Sequence, residues 1–361
     1  MMPFDLPNLI WYALTFGVAA AITAYVTPLT ISVAHAFKIT DTPDGRLKKH
    51  KNPTPYLGGL AVAAGFIVAF GLLSTNESMD ERALGILVGG CMMLLLGLYD
   101  DLVNLRPSVK FMGQLLAVFA LQKAGVRIQL AALDDWGNLA LTVLWVTGIT
   151  NAFNIIDVMD GLASGTAAIA ALFLFLIAAL VGGETSIPFM AIALAGALAG
   201  FLRFNVTPAR IFLGDTGSLF IGFLLGALSM SVSYSEHNRL AVMTPVVLLA
   251  VPIFDTCFVA VHRARKGIPF FRGSPDHFAL RVAHAGAGVR STVLNTWRVA
   301  GMLGLVSLLL VFGPQRVVPW TLAACGAAGL LAFVLLSRLP APDRGHTRAP
   351  DAPAQPAAEE A

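Results

Sequence analysis

The chain has 361 residues, of which 57% are hydrophobic and only 12% charged, with a formal net charge of +3. Ordinary globular domains carry about 25% charged residues, so a water-soluble enzyme and a largely disordered chain are both excluded. A nucleic-acid binder is excluded as well, since it would show basic clusters on a charge-rich background. An integral membrane protein is what remains.

Stretches of roughly 17–25 predominantly apolar residues can cross a bilayer as helices. In chain order the sequence predicts eleven, over 9–37, 55–73, 83–99, 108–123, 138–153, 162–182, 187–204, 216–235, 241–262, 294–313 and 317–337. The first follows Asp5 rather than a basic segment and runs too long for a signal peptide. The expected fold is therefore all-α and polytopic, with residues 1–337 forming one transmembrane domain. Residues 338–361, rich in Pro and Ala, are expected to be a disordered tail. Cys91, Cys257 and Cys325 lie in apolar runs without metal or disulfide spacing.

Lys and Arg concentrate on the cytoplasmic side of membrane proteins. Of the 24 basic residues, 19 fall in the odd-numbered connections and the tail. This predicts cytoplasmic odd connections, a cytoplasmic C-terminus and an N-terminus outside.

The same connections hold the unusual polar residues. In 38–55, Lys48, Lys49, His50 and Lys51 precede Pro53, Pro55, Gly58 and Gly59. That is a stiff turn whose cations can hold phosphate, although a positive-inside anchor explains the charges equally well. In 100–110, the adjacent carboxylates of Asp100 and Asp101 repel unless a cation or proton relieves them. They suit a Mg²⁺ site or a proton acceptor beside phosphate, and a helix C-terminus disfavours them as mere solvated ends. Lys110 follows, placed to meet phosphate or to snorkel.

In 151–162, Asn151, Asn154, Asp157 and Asp160 recur every three residues, which predicts one helical face. Such a face attracts a cation or a hydroxyl-rich ligand, or bonds neighbouring helices. In 203–218, the run Phe212-Leu-Gly-Asp215-Thr-Gly-Ser218 lets backbone approach a ligand and offers Asp215 as a hard oxygen donor. Thr216 and Ser218 serve equally as helix caps. The connection 262–293 is the most basic, with Arg263, Arg265, Lys266, Arg272, His277 and Arg281. An amphipathic segment on anionic lipid competes there, but Ser274-Pro-Asp276-His277-Phe278 is more specific than a lipid patch. Asp255, inside the ninth stretch, is an ionisable group with a supporting role, and the outward pair Asp134-Asp135 has no assigned role.

Five connections thus bring carboxylates, amides and arginines to one membrane face, the set that phosphoryl-type transfer needs. A transporter would place them near the midplane on broken helices, and a scaffold would not need them together.

The motifs His50…Pro55-x-x-Gly58-Gly59, Gly97-x-x-Asp100-Asp101, Asn151-x-x-Asn154-x-x-Asp157-x-x-Asp160-Gly161 and Phe212-x-Gly214-Asp215-x-Gly217-Ser218 resemble the polyprenyl-phosphate N-acetylhexosamine-1-phosphate transferase superfamily, of glycosyltransferase family 4 type. The resemblance spans about residues 35–285. It implies transfer of a sugar-1-phosphate from a UDP-sugar to a polyprenyl phosphate, with release of UMP. It implies Mg²⁺, or alternatively Mn²⁺, held by Asn154 and Asp215. The resemblance further implies that Asp100, with Asp101 beside it, binds or deprotonates the acceptor phosphate and that Phe212 stacks on uracil. By the same resemblance Arg263, Lys110 and Lys49 are expected to contact phosphates, and Asp157 and Asp160 to hold nucleotide or metal-bound water. The remaining substrate contacts are expected from His50, Asn151, Arg265, His277 and Arg281. The implied setting is the bacterial inner membrane with a cytoplasmic active site, and a homodimer is compatible with it. Two departures stand out: Val158 replaces a glycine, and only His277 represents the family's histidine cluster. The first connection is more similar to the undecaprenyl-phosphate N-acetylglucosamine-1-phosphate transferases than to the muramoyl-pentapeptide enzymes. Direct attack and passage through an aspartyl intermediate both stay open.

Overall fold

The computed structural model describes residues 6–41, 54–73, 80–182, 186–236, 238–269 and 274–342. Lys49, His50, Arg272 and most of the expected tail lie outside the described residues. Apart from one antiparallel ladder, Thr40–Asp41 (β1) with Thr54–Pro55 (β2), the described elements are helices.

Helices α1 (Leu6–Ala36), α2 (Gly58–Leu73), α3 (Glu81–Val103), α4 (Pro107–Lys123) and α5 (Asp135–Ile156) come first. Then follow α6 (Leu162–Val181), α7 (Ser186–Asn205), α8 (Gly214–Met230), α9 (Thr244–Leu248), α10 (Ala250–Arg265), α11 (Phe278–Val282), α12 (Val289–Phe312) and α13 (Val318–Ser337). Each expected stretch coincides with a helix or, for the ninth, with a broken pair. Among the described residues, seven helices are long and apolar enough to cross a membrane, and eight if the bent pair counts as one span. The protein is an all-α polytopic membrane protein. The shortfall from eleven comes from α2, α4 and α8, which have 16, 17 and 17 residues. At ~1.5 Å per residue, 17 residues reach only about 25 Å, short of a ~30 Å hydrocarbon core.

Two sequence expectations need correction. The ninth stretch is not one helix: a break at Leu249 bends its two parts by 67°. Pro252 lies in the first turn of α10, where a missing N–H costs little, so the chain restarts a helix there rather than extending one. The spacing-of-three face also fails for two of its four members. Helix α5 ends at Ile156, so Asp157 is its C-cap and Asp160 lies in the turn before α6. That turn closes on Gly161 at φ +76°, a left-handed conformation that favours glycine.

At the centre sits α8, buried on every side from Thr216 to Ser229 and flanked by α2, α3, α5, α6 and α7. A helix apolar all round needs such a place. At the rim, α4 and α13 expose large apolar side chains such as Leu116, Phe119, Trp320 and Leu330, as a lipid solvent allows.

Candidate active site

The site forms where α3 ends, α5 ends and α8 begins. Motif glycines make the convergence possible. A Cβ on Gly59 would overlap the Gly217 backbone, and one on Gly97 would overlap the backbone of Asp215 and Thr216. Gly214 sits at φ +74° with the Tyr56 carbonyl and the Asp101 carboxylate against it. The first connection is stitched to the eighth helix by backbone bonds: Phe212 N to Pro55 O, Gly58 N to Phe212 O and Gly59 N to Leu213 O, at 2.7, 3.0 and 2.9 Å.

The paired aspartates at the end of α3 divide their bonds. Asp101 accepts from the Asp215 amide (2.9 Å), the Thr216 amide (2.9 Å) and the Thr216 hydroxyl (2.6 Å). Leu213, the N-cap of α8, supplies no side-chain cap of its own. Asp101 therefore caps α8 from another helix, and the partial positive charge of that N-terminus offsets the unfavourable position of a carboxylate at the end of α3. Asp100 is buried, accepts from the Leu105 amide at 2.7 Å and faces Lys110 Nζ at 2.6 Å.

Lys110 Nζ also reaches Asp215 Oδ2 at 2.5 Å, so one ammonium bridges two carboxylates. On the other side of Asp215, Asn154 Nδ2 donates to Oδ1 at 2.7 Å and to Ser218 Oγ at 2.9 Å. Asp100, Lys110, Asp215 and Asn154 thus form one continuous chain from three separate motifs. Asp157 is half-buried nearby; burial and the charges of Asp215, Asp101 and Asp160 push its carboxyl up to about 8. Among the described residues, no group of three or more His, Cys, Asp or Glu is arranged to hold an ion by itself.

Other expected residues take structural bonds. Asn151 exchanges hydrogen bonds with Gln114, at 2.8 and 3.1 Å, and donates to the Thr147 carbonyl. Its amide ties α4 to α5, the helix-bonding alternative read from the sequence. Asp160 accepts from the Ala209 amide at 2.9 Å. Phe212 is half-buried beside the stitched segment.

The basic connection forms a second group. Arg263 is buried and donates through Nε to Ser274 Oγ at 2.9 Å, whereas Arg265 is exposed. Arg281 is buried, pairs with Asp276 at 3.0 Å and donates to the Leu339 carbonyl at 2.8 Å, past the end of α13. Lys266 joins the same Asp276 oxygen at 2.5 Å. His277 Nδ1 lies 2.7 Å from Asp255 Oδ2.

Sequence reasoning missed Gln114 and Asn205. Gln114 lies one turn beyond Lys110, a spacing that puts both on one face of α4. Buried Asn205 binds the Gly161 amide (3.1 Å), the Ser164 hydroxyl (2.6 Å) and the Ile211 carbonyl (2.9 Å), joining the Asp160 turn to the Phe212 segment. A lone amide at the end of an apolar stretch was its only sequence signal.

The family model for glycosyl transferase family 4 matches residues 83–233, which includes α5, α8, all but the first two residues of α3 and every member of the Asp100–Asn154 chain. The chain is 31% identical over 311 residues to the probable undecaprenyl-phosphate N-acetylglucosaminyl 1-phosphate transferase of Bacillus subtilis (strain 168), covering 84% of this chain and 86% of that protein. It is 28% identical over 355 residues to the decaprenyl-phosphate N-acetylglucosaminephosphotransferase of Mycobacterium leprae (strain TN), covering 89% of each. The phospho-N-acetylmuramoyl-pentapeptide-transferase of Desulforamulus reducens (strain ATCC BAA-1160 / DSM 100696 / MI-1) is 29% identical over 331 residues, covering 84% of this chain and 96% of that protein. On these matches the chain belongs to glycosyl transferase family 4.

Proposed function

We propose that the protein transfers N-acetylglucosamine-1-phosphate from UDP-N-acetylglucosamine to a polyprenyl phosphate, such as undecaprenyl phosphate, and so starts a lipid-linked cell-envelope glycan. An oxygen of the acceptor phosphate attacks the phosphorus next to the sugar. The bond between that phosphorus and the bridging oxygen breaks, and the bridging oxygen leaves with UMP. The observation that carries this reading is the continuous chain Asp100–Lys110–Asp215–Asn154.

Each member has a task in that reaction. Asp100, half of whose carboxylate is committed to Leu105, orients the acceptor phosphate and takes its proton. Lys110 supplies positive charge between acceptor and donor. Asp101 holds the first turn of α8 so that Asp215 stays opposite Asn154. Asp157 and Asp160 border the nucleotide side, with Phe212 against uracil, and Arg263 and Arg265 meet the donor's phosphates.

The donor set fits Mg²⁺. This ion takes one or two protein oxygens and completes its shell with water and substrate phosphate, so it needs no all-protein cage. Asp215 supplies a hard carboxylate oxygen, Asn154 (which here donates Nδ2 to Asp215) would present its amide oxygen on turning, and the Lys110 ammonium marks the place between Asp100 and Asp215 that calls for positive charge. When bound, Mg²⁺ (or Mn²⁺) neutralises the donor diphosphate and polarises its leaving group.

The same reading places the site on the cytoplasmic face of a bacterial inner membrane, with α2, α4 and α8 as short spans, over which the bilayer thins, that complete eleven, the N-terminus outside and a cytoplasmic tail. The 19 basic residues on one side support that orientation. A homodimer is compatible with it.

Purified protein supplied with UDP-N-acetylglucosamine, undecaprenyl phosphate and Mg²⁺ is expected to release UMP. Chelation by EDTA or the substitution Asp215→Ala should abolish release. Undiminished turnover in either case refutes the metal assignment, and preference for another UDP-sugar in a donor panel refutes the sugar.

A further inference from the structure

Helix α4 stands at the rim of the bundle, and its buried stripe sets one polar side chain among three apolar ones: Gln114, Ala117, Val118 and Leu121. Gln114 is 2% exposed, and both ends of its amide are engaged. Oε1 accepts from Asn151 Nδ2 at 2.8 Å, and Nε2 donates to Asn151 Oδ1 at 3.1 Å. Asn151 Nδ2 also donates to the Thr147 carbonyl at 2.7 Å, which pins that amide to its own helix. Apolar packing holds two membrane helices together but tolerates a slip or a turn of one against the other. A reciprocal amide pair does not. Its hydrogen bonds are gone beyond about 3.5 Å, and hydrocarbon offers no water to replace them.

Where the pair sits gives it a task in the reaction. Helix α4 begins and α5 ends at the site, so the two run antiparallel there. Gln114 lies one turn beyond Lys110, and Asn151 one turn before Asn154. The pair is therefore a second rung beneath the first, in which Lys110 and Asn154 hold opposite oxygens of Asp215 at 2.5 and 2.7 Å. A lysine stem follows small shifts of its helix but does not choose between them, so the register of α4 is set elsewhere. Resting on the proposed reaction, we propose that Gln114 and Asn151 are positioning residues. Their amide pair fixes α4 against α5 and so holds the Lys110 ammonium between the acceptor and donor phosphates. Asn151 then serves the reaction without touching substrate.

The test compares the full-length protein with Gln114→Leu/Asn151→Leu. Replacing both partners by apolar side chains leaves neither amide unsatisfied, so the unfolding midpoint should stay near wild type. A misplacement near 1 Å costs up to about 100-fold in rate, so kcat for UMP release should fall about 10–100-fold with little change in either KM. The exchanged pair Gln114→Asn/Asn151→Gln keeps the combined reach of the two side chains and should recover most of that loss. Wild-type kcat in the leucine pair overturns the proposal. So does a loss that only tracks a lower midpoint, or a raised KM confined to Asn151→Leu, which marks a direct substrate contact. If the leucine pair fails to fold, the exchange decides: Gln114→Asn alone should lose turnover, and failure of Asn151→Gln to restore it refutes the pair. A nitrogen NMR spectrum of ¹⁵N-lysine-labelled protein, assigned with Lys110→Ala, reads the ammonium without turnover. Held by two carboxylates, it should give a slowly exchanging signal that the leucine pair loses. A signal absent from wild type, or unchanged in the leucine pair, refutes the positioning role. If wild type releases no UMP, the proposed reaction fails while this spectrum still judges the pair.

Discussion

Asp100 accepts from the Leu105 amide and the Lys110 ammonium, whereas both oxygens of Asp101 are taken by the first turn of α8. This division predicts two phenotypes from neighbouring residues. Losing a helix cap costs about 1 kcal/mol, and leaving buried amides unsatisfied about 1–3 kcal/mol. Asp101→Ala should therefore lower the thermal unfolding midpoint together with activity. Asp100→Asn keeps the acceptor for Leu105 and should remove activity with the midpoint near wild type. Equal midpoints for the two variants would contradict the division. Asp157 gives a pH signature. Its carboxyl, pushed up to about 8, stays protonated in the folded protein over a range where the unfolded chain, near 3.9, is already ionised. Folding then binds a proton between those values, so stability falls as pH rises from about 4 to about 8. Asp157→Asn should flatten that slope in unfolding midpoints recorded from pH 5 to 8, and an unchanged slope would reject the assignment.

At the scale of elements, the glycines of three motifs set how closely α2, α3 and α8 approach. Gly97→Ala puts a methyl group into the Asp215–Thr216 backbone, and overpacking of this kind costs about 1–3 kcal/mol. It should depress turnover with no substrate contact removed, while Gly71→Ala, which meets nothing, should be neutral. Equal effects of the two in a turnover and melting assay would refute the close-approach account. Helix positions were readable because apolar stretches are long and chain-local. The breaks were less so. Helical spacing carried Asn151 and Asn154 correctly onto α5 but not Asp157 and Asp160, because α5 stops at Ile156 and the chain turns toward Gly161, whose amide Asn205 binds. The 67° bend was invisible since Pro252 looks the same in a kinked span and in a restarted one.

For the whole molecule, the sequence placed Asp100, Lys110, Asn154 and Asp215 at one end of the bundle through alternating connections and their basic residues. What it left open were pairings between distant segments: Asp101 with α8, Asn151 with Gln114, and His277 with Asp255. These depend on how helices pack, which no local pattern encodes. The fold attaches α13 near both ends: buried Val318 packs with Val247 and Leu310 at its start, and toward its close His262 meets Ser337 and Phe333 packs on Phe258. The central claim concerns which bond of the donor breaks. The most direct measurement supplies UDP-N-acetylglucosamine labelled with ³²P at the phosphorus next to the sugar, together with undecaprenyl phosphate and Mg²⁺. The account predicts label in the lipid and unlabelled UMP in solution. Labelled UDP in solution, with an unlabelled lipid-linked sugar, would contradict it.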